Sequence, residues 1–291
     1  MPSAQAVTPA RVSTHQMDIP SYEPAAALDF FKAGGEVETI PAGRTIFREA
    51  RRSRGALFAN DKMYLLLKGR VSLTAGAQEI RAVKAGEIFG EMAALARTPR
   101  SATAVAKTPC KVIALDARQF RKALAKKPAF ALMLMKVMVP RLREAVASAK
   151  AHGALSGGDN PPLEPPVFNP KSLADMVRGL CDDAPVSFLR NQVILEEGQV
   201  GTRMYAVLEG RVAVSINGAV VDRIGPGGVL GELALIDQSP RLASAVAEDN
   251  VTLQPINRNA FIALIKLDPD LGAALLAALA ERLHYLTGRL K

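Results

Sequence analysis

Apolar and polar positions follow two different periods along this chain, and the periods change over in the same order twice. After Pro24, the run Ala25-Ala26-Ala27-Leu28-Asp29-Phe30-Phe31 has helical spacing and stops at Gly34-Gly35. Glu36-Val37-Glu38-Thr39-Ile40 then alternates polar with apolar, Pro41-Ala42-Gly43 makes a turn, and Thr45-Ile46-Phe47 resumes strand character. Tyr64-Leu65-Leu66-Leu67-Lys68-Gly69-Arg70-Val71 predicts a strand, a glycine turn and a further strand, with closing strands over 102–105 and 111–115. From 117 to about 150 the period is helical again, and Pro140 is expected to kink or split that stretch.

The pattern recurs 141 residues later. Gly86-Glu87-Ile88-Phe89-Gly90-Glu91-Met92-Ala93-Ala94-Leu95, leading to Thr98-Pro99-Arg100-Ser101-Ala102, is matched by Gly227-Gly228-Val229-Leu230-Gly231-Glu232-Leu233-Ala234-Leu235-Ile236, leading to Ser239-Pro240-Arg241-Leu242-Ala243. Tyr64 to Val71 recurs as Tyr205 to Val212, and Phe120 as Phe261. A repeat of that length is one domain long, so the chain reads as two copies of one domain. The copies differ between Arg48 and Asp61, where the first has seven extra residues, among them Arg51, Arg52 and Arg54. Arg51-Arg52-Ser53 faintly resembles a kinase substrate sequence with the wrong spacing, so a solvated basic loop is expected.

The repeated segment carries its own chemistry. A glycine admits positive φ and close backbone approach. The helix start that follows it aims free N–H groups and the positive end of the dipole at an anion. Pro-Arg then ends the helix and sets the approach of a guanidinium, which binds a phosphate through two parallel hydrogen bonds. A carboxylate accepting from a sugar hydroxyl completes a site for a nucleotide with one phosphate.

These residues resemble the phosphate-binding cassette of the cyclic nucleotide-binding domain family, the family of the catabolite activator protein and of protein kinase A regulatory subunits. Its pattern, Gly-Glu-Leu-Ala-Leu, a short spacer and Pro-Arg-Ala-Ala, is met by Gly231-Glu232-Leu233-Ala234-Leu235 with Pro240-Arg241-Leu242-Ala243, and by Gly90-Glu91-Met92-Ala93-Ala94 with Pro99-Arg100-Ser101-Ala102. The resemblance implies that Glu91 and Glu232 bind the ribose 2′-hydroxyl and that Arg100 and Arg241 bind the cyclic phosphate. It extends to Gly90, Met92, Ala93, Ser101, Ala102, Gly231, Leu233, Ala234, Leu242 and Ala243 as the rest of the two ligand-binding sites. It also implies cyclic AMP in preference to cyclic GMP, because a threonine after the cassette arginine often accompanies cyclic GMP and here Ser101 and Leu242 stand there.

The implied fold class is mainly β with flanking helices: two tandem jelly-roll β-barrels, each with an N-terminal helix, a short phosphate-cassette helix and C-terminal helices. A tail over 1–22 precedes the first domain, 23–150. A linker over 151–170, holding Gly153, Gly157, Gly158, Pro161, Pro162, Pro165, Pro166 and Pro170, leads to the second domain, 171–291, which opens with a short helix over 171–180. The last helix, roughly 269–290, lines up Leu276, Leu279, Leu283, Leu286 and Leu290 in one seam. Two readings of that seam stay open: packing on its own barrel, and pairing with a second copy as a homodimer. Tyr285 on this helix is a possible lid over the base.

Charge and composition add a little. The 291 residues carry a formal charge of +9, but residues 1–150 hold 25 Lys and Arg against 12 Asp and Glu, and residues 151–291 hold 12 against 16. The first half is therefore a candidate to dock an acidic protein partner, or simply has a solvated basic face. Cys110 and Cys181 lack metal-like spacing, and together with the lack of a secretory signal or a membrane-spanning run they suggest the cytoplasm. No nucleophile–base pairing, metal cluster or cofactor motif argues for an enzyme. No helix-turn-helix pattern follows the long helix, so DNA is not an expected partner. The expectation is a cyclic nucleotide sensor in signal transduction, with a ligand-free scaffold of degenerate barrels as the alternative.

Overall fold

Strand alternation in the first copy closes two four-stranded antiparallel sheets around an apolar centre. The computed structural model describes residues 18–49, 61–155, 167 and 183–289. Helix α1 (Pro24–Lys32) leads into β1 (Glu36–Ile40), β2 (Thr45–Phe47), β3 (Lys62–Lys68), β4 (Val71–Ala75), β5 (Gln78–Val83) and β6 (Ile88–Phe89). The cassette helix α2 (Glu91–Ala96), β7 (Thr103–Ala106), β8 (Cys110–Asp116), α3 (Ala117–Lys126) and α4 (Ala129–Ala151) complete it. The sheets run β1-β8-β3-β6 and β2-β7-β4-β5. Leu66, Val71, Val83, Phe89, Val112 and neighbouring alanines fill the space between them. Outside the sheets, Phe30 and Phe31 of α1 meet Phe120 and Phe130, and Phe30 stacks on Phe130 with centroids 3.7 Å apart. Each of these rings stabilises the helical layer by roughly 1.5–3 kcal/mol on burial.

The second copy repeats the order: β9 (Val186–Phe188), β10 (Val193–Leu195), β11 (Arg203–Glu209), β12 (Val212–Ile216), β13 (Ala219–Ile224), β14 (Val229–Leu230), α5 (Glu232–Asp237), β15 (Ser244–Ala247), β16 (Val251–Asn257), α6 (Arg258–Leu267) and α7 (Pro269–Arg289). Its sheets are β9-β16-β11-β14 and β10-β15-β12-β13, the same topology. Register repeats as well: Tyr64 lies between Phe89 and Ala114, and Tyr205 between Leu230 and Pro255.

The helical region divides at Lys127-Pro128, directly after α3, not at Pro140. Pro128 is the N-cap of α4, where a missing N–H costs nothing, and Lys127 before it leaves the helical region with φ −138° and ψ 65°. Pro140 lies inside α4 on its exposed side, where water can satisfy the carbonyl it frees. Asp116 caps α3 by accepting from the Gln119 backbone N–H at 2.7 Å, and the Gln119 side chain accepts from the Asp116 N–H at 2.8 Å.

Two compact units emerge, and they do not follow the expected boundaries. One comprises Ile19–Gly157 with Ile265–Lys291; the other comprises Gly158–Leu264 with Met1–Asp18. Helix α7, expected in the second domain, packs on α2, α3 and α4 of the first unit. Its seam residues Leu276, Leu279, Leu283 and Leu286 are buried there. The seam is thus filled by the first copy's helices, which is neither of the two arrangements left open by the sequence. Residues 19–22, assigned to a tail, also belong to this unit. Ile19 is buried, the Lys136 ammonium donates to its carbonyl at 2.9 Å, and the Tyr22 hydroxyl donates to the Gly86 carbonyl at 2.5 Å. Residues 1–17, Arg51, Arg52, Arg54, most of the linker, the helix expected over 171–180 and Leu290 lie outside the described residues.

Candidate functional site

Each cassette is set by one glycine. Gly90 is the N-cap of α2 with φ 75°, and Gly231 is the N-cap of α5 with φ 81°. A side chain at either position would be strained, and its Cβ would meet the arginine of the same cassette, at 2.8 Å from Arg100 Nη1 and 2.5 Å from Arg241 Nη1. Both short helices end alike, at Arg97 with φ 53° and Gln238 with φ 58°.

The glycine carbonyl also holds the arginine. Arg100 donates from Nη1 to the Gly90 carbonyl at 2.7 Å and from Nη2 to the Lys62 carbonyl at 2.7 Å. Arg241 donates from Nη1 to the Gly231 carbonyl at 2.6 Å and from Nη2 to the Arg203 carbonyl. Both guanidinium groups are buried. Two cations are thus tied to equivalent carbonyls, since Lys62 and Arg203 are themselves matched at the 141-residue spacing. Burial pushes the Arg241 guanidinium below the usual arginine range, with Tyr205 and Glu232 acting in the opposite sense. An anion beside it offsets that desolvation.

The surroundings of the two arginines differ. Arg100 also donates to Asp61 Oδ1 at 3.0 Å and lies over the Phe47 ring, 4.2 Å from its centroid. Phe47, Tyr64 and Phe89 form one stack beneath it. The second copy has Leu195, Tyr205 and Leu230 at those positions and Thr202 in place of Asp61. Arg100 Nε and Asp61 Oδ2 are buried without a hydrogen-bond partner. An unused, buried N–H on a fixed guanidinium is a donor ready for a ligand oxygen.

Glu91 and Glu232 occupy the first turns of α2 and α5 and are buried. Glu91 is not paired with Arg100. It accepts from Arg141 of α4, an ion pair that holds its carboxylate inside the site. Arg141 escaped the sequence reading because it lies outside the cassette. The signal was available, since Arg141 recurs at the 141-residue spacing as Arg282. Met92 and Ala93 follow Glu91 in α2, and Leu233 and Ala234 follow Glu232 in α5. Ser101 and Ala102, like Leu242 and Ala243, lie on the stretch entering the next strand beside the arginine. Tyr285 lies on α7 in the unit of the first copy, and its side chain is 40% exposed on the side away from the leucine seam. Among the described residues no group of His, Cys, Asp or Glu is arranged to hold a metal ion, and no helix is long and apolar enough to cross a membrane.

The chain is similar to known proteins in sequence. The profile of the family described as "Cyclic nucleotide-binding domain" matches residues 37–127 and 185–268, more than half of the chain. A cAMP-dependent protein kinase regulatory subunit of Debaryomyces hansenii is 27% identical over 208 residues, covering 70% of this chain and 41% of the relative. One of Eremothecium gossypii is 25% identical over 233 residues, covering 79% and 44%. The chain therefore spans less than half the length of these curated relatives. Among solved structures, the Thermus thermophilus catabolite activator protein is similar with 28% identity, covering 42% of this chain and 59% of that one, at a TM-score of 0.36. The regulatory domain of Toxoplasma gondii protein kinase A with cAMP is similar with 19% identity, covering 83% and 86%, at a TM-score of 0.31.

Proposed function

We propose that this chain, which belongs to the cyclic nucleotide-binding domain family, is a regulatory protein that binds a cyclic nucleotide in both copies and passes the signal to a partner protein. The observation that supports this most is the duplicate arginine. Arg100 and Arg241 are buried, fixed by equivalent carbonyls and in the same cassette as a buried glutamate at the start of the cassette helix. A purely structural arginine would not need the same cradle twice.

In this reading the cyclic phosphate takes hydrogen bonds from Arg100 or Arg241 and satisfies donors such as Arg100 Nε. Glu91 and Glu232 accept from the ribose 2′-hydroxyl, which fixes the sugar and selects ribose over deoxyribose. Cyclic AMP is the preferred ligand, since Ser101 and Leu242 stand where a threonine would favour cyclic GMP. Tyr285 is assigned to cover a base at the first site, because α7 packs on α2. Ligand binding draws the cassette inward and shifts the helices that pack on it, and it does so to the extent that the ligand's affinity differs between the two arrangements. The chain acts without chemistry of its own, in the cytoplasm, and its partner reads the helical layer.

The test is a thermal-shift titration with cyclic AMP, cyclic GMP and 5′-AMP, followed by calorimetry. A ligand at a hundred times its dissociation constant adds about 2.7 kcal/mol to the unit that binds it. Cyclic AMP is expected to stabilise the protein more than cyclic GMP, with 5′-AMP inert. The Arg100→Ala and Arg241→Ala variants should each lose one of two binding events. No stabilisation by any of the three nucleotides would turn the reading to a scaffold whose barrels serve protein contact alone.

A further inference from the structure

Helix α3 carries a charge pattern that neither the fold nor the nucleotide site uses. Arg118, Arg121, Lys122 and Lys126 sit at i, i+3, i+4 and i+8, so they share one face, and all four are exposed. None of their side chains makes a hydrogen bond or ion pair among the described residues. The acids seen at the two ends of α3 are already occupied. Asp116 is committed to the helix cap, and Asp29 of α1 pairs with Lys127.

The fold does not require these charges. The second copy builds the matching helix, α6, with Asn259, Ile262, Ala263 and Leu267 at the same four positions. Local stability disfavours part of the pattern, because Arg118 stands in the first turn of α3, where the helix dipole repels a cation. A strip that the duplicate helix omits, and that opposes the dipole, has its use outside the molecule.

We propose that this face of α3 is a docking surface for an acidic protein segment. Its length follows from the helix rise, about 12 Å from Arg118 to Lys126. That reach engages a few carboxylates in succession and is short of the six to ten phosphate contacts, roughly, that carry nucleic-acid binding. The exposed face also lacks rings on which bases stack, since Phe120, the aromatic of α3, is buried. Nothing apolar on it enters a membrane, for Ala123 and Leu124 point into the core. Two arginines at its N-terminal half supply the forked donors that carboxylates bind in pairs. The location suits a regulatory output, because α3 follows directly on the last barrel strand and packs on α1, α4 and α7. The strip lies outside both cassettes, so the proposal stands apart from the nucleotide reading.

The experiment measures fluorescence anisotropy of a labelled polyglutamate peptide with the full chain at low salt. The strip variant is Arg118→Gln, Arg121→Gln, Lys122→Gln and Lys126→Gln together. Its control removes the same charge from the barrel surface at Lys68, Arg70, Lys107 and Lys111, which are exposed in the structure. The wild type is expected to bind the peptide, the strip variant to bind it at least about tenfold more weakly, and the barrel control to stay within about twofold. Thermal melting shows that both variants fold, and cyclic AMP binding is unchanged in the strip variant. Should the quadruple variant not fold, Arg121→Gln with Lys122→Gln is expected to lose about threefold. Equal losses in strip and control variants would reduce the effect to net charge and overturn the proposal. So would a wild type that ignores the peptide, or one that binds duplex DNA or phosphatidylserine vesicles more tightly than the peptide.

Discussion

Arg141, near the middle of α4, donates to the carboxylate of Glu91 at the start of the cassette helix. The pair ties the long helix to the residue assigned to the ribose. Glu91 is buried, whereas the Arg141 side chain is about a third exposed, so the carboxylate depends on its partner more than the guanidinium does. Arg141→Ala is expected to cost about 1–3 kcal/mol of stability by leaving the buried carboxylate without its partner. Glu91→Gln keeps the shape and removes the charge, and should weaken the first site for cyclic AMP by about tenfold while leaving the second unchanged. Urea unfolding and calorimetry check the two effects. A Glu91→Gln variant with both sites intact would remove Glu91 from the ribose.

The second arginine depends on the absence of a methyl group. A Cβ on Gly201 would lie 2.1 Å from Arg241 Cζ, so something must shift, and the guanidinium, at the end of a flexible side chain, is the group that yields. Gly201→Ala is therefore expected to evict the guanidinium from the Gly231 carbonyl and to abolish the second binding event. The first site is in the other compact unit and keeps its affinity. Calorimetric stoichiometry should fall from two to one. Retention of both events would show that Arg241 binds ligand from another position.

Much of this arrangement was legible in the sequence because duplication turns one pattern into two. The 141-residue spacing picked out Gly90 with Gly231 and Arg100 with Arg241 before any coordinates, and alternation marked the strands on which they depend. What was not legible depends on partners. The leucine seam of α7 announces a buried face without saying what covers it, and α4 and α2 of the first copy proved to do so. The helix break falls at Pro128, since a proline at a helix start is tolerated and one on an exposed helix face is also accommodated, so two prolines in one helical stretch do not say which divides it. Asp61 marked only the end of the segment in which the copies differ, because the fold alone brings it to Arg100, 39 residues away.

Tyr22 gives a pH-dependent signal. Burial, with Glu87 and Glu91 nearby, pushes its phenol up to about 12 from the ordinary 10.0. The raised value means that the folded state holds the neutral phenol more tightly than the unfolded chain does. The Tyr22 contribution is complete below pH 10 and is lost as pH rises through about 12. The chain contains four tyrosines and no tryptophan, so the ultraviolet absorbance of the phenolates is unobscured. Subtracting the titration of Tyr22→Phe from that of the wild type should leave one step near 12. A step near 10 would mean that the segment from Ile19 to Tyr22 is not held against Gly86 in solution.

Gly272 decides how closely α7 approaches α4. A Cβ there would stand 3.1 Å from the Ala131 Cβ and 3.4 Å from Ile265 Cγ2, so the two helices meet where neither has a large side chain. Leucine at this position forces them apart, and the seam residues Leu276 and Leu279 lose their cover. Gly272→Leu is expected to lower stability by about 1–3 kcal/mol, despite the gain in helix propensity that replacing glycine brings. Because α7 packs on α2, the same variant should weaken cyclic AMP at the first site more than at the second. Combining it with Ala131→Gly returns part of the space, and a double-mutant cycle should then show positive coupling. Full additivity of the two changes would separate Gly272 from Ala131 and leave the seam to be held by other contacts.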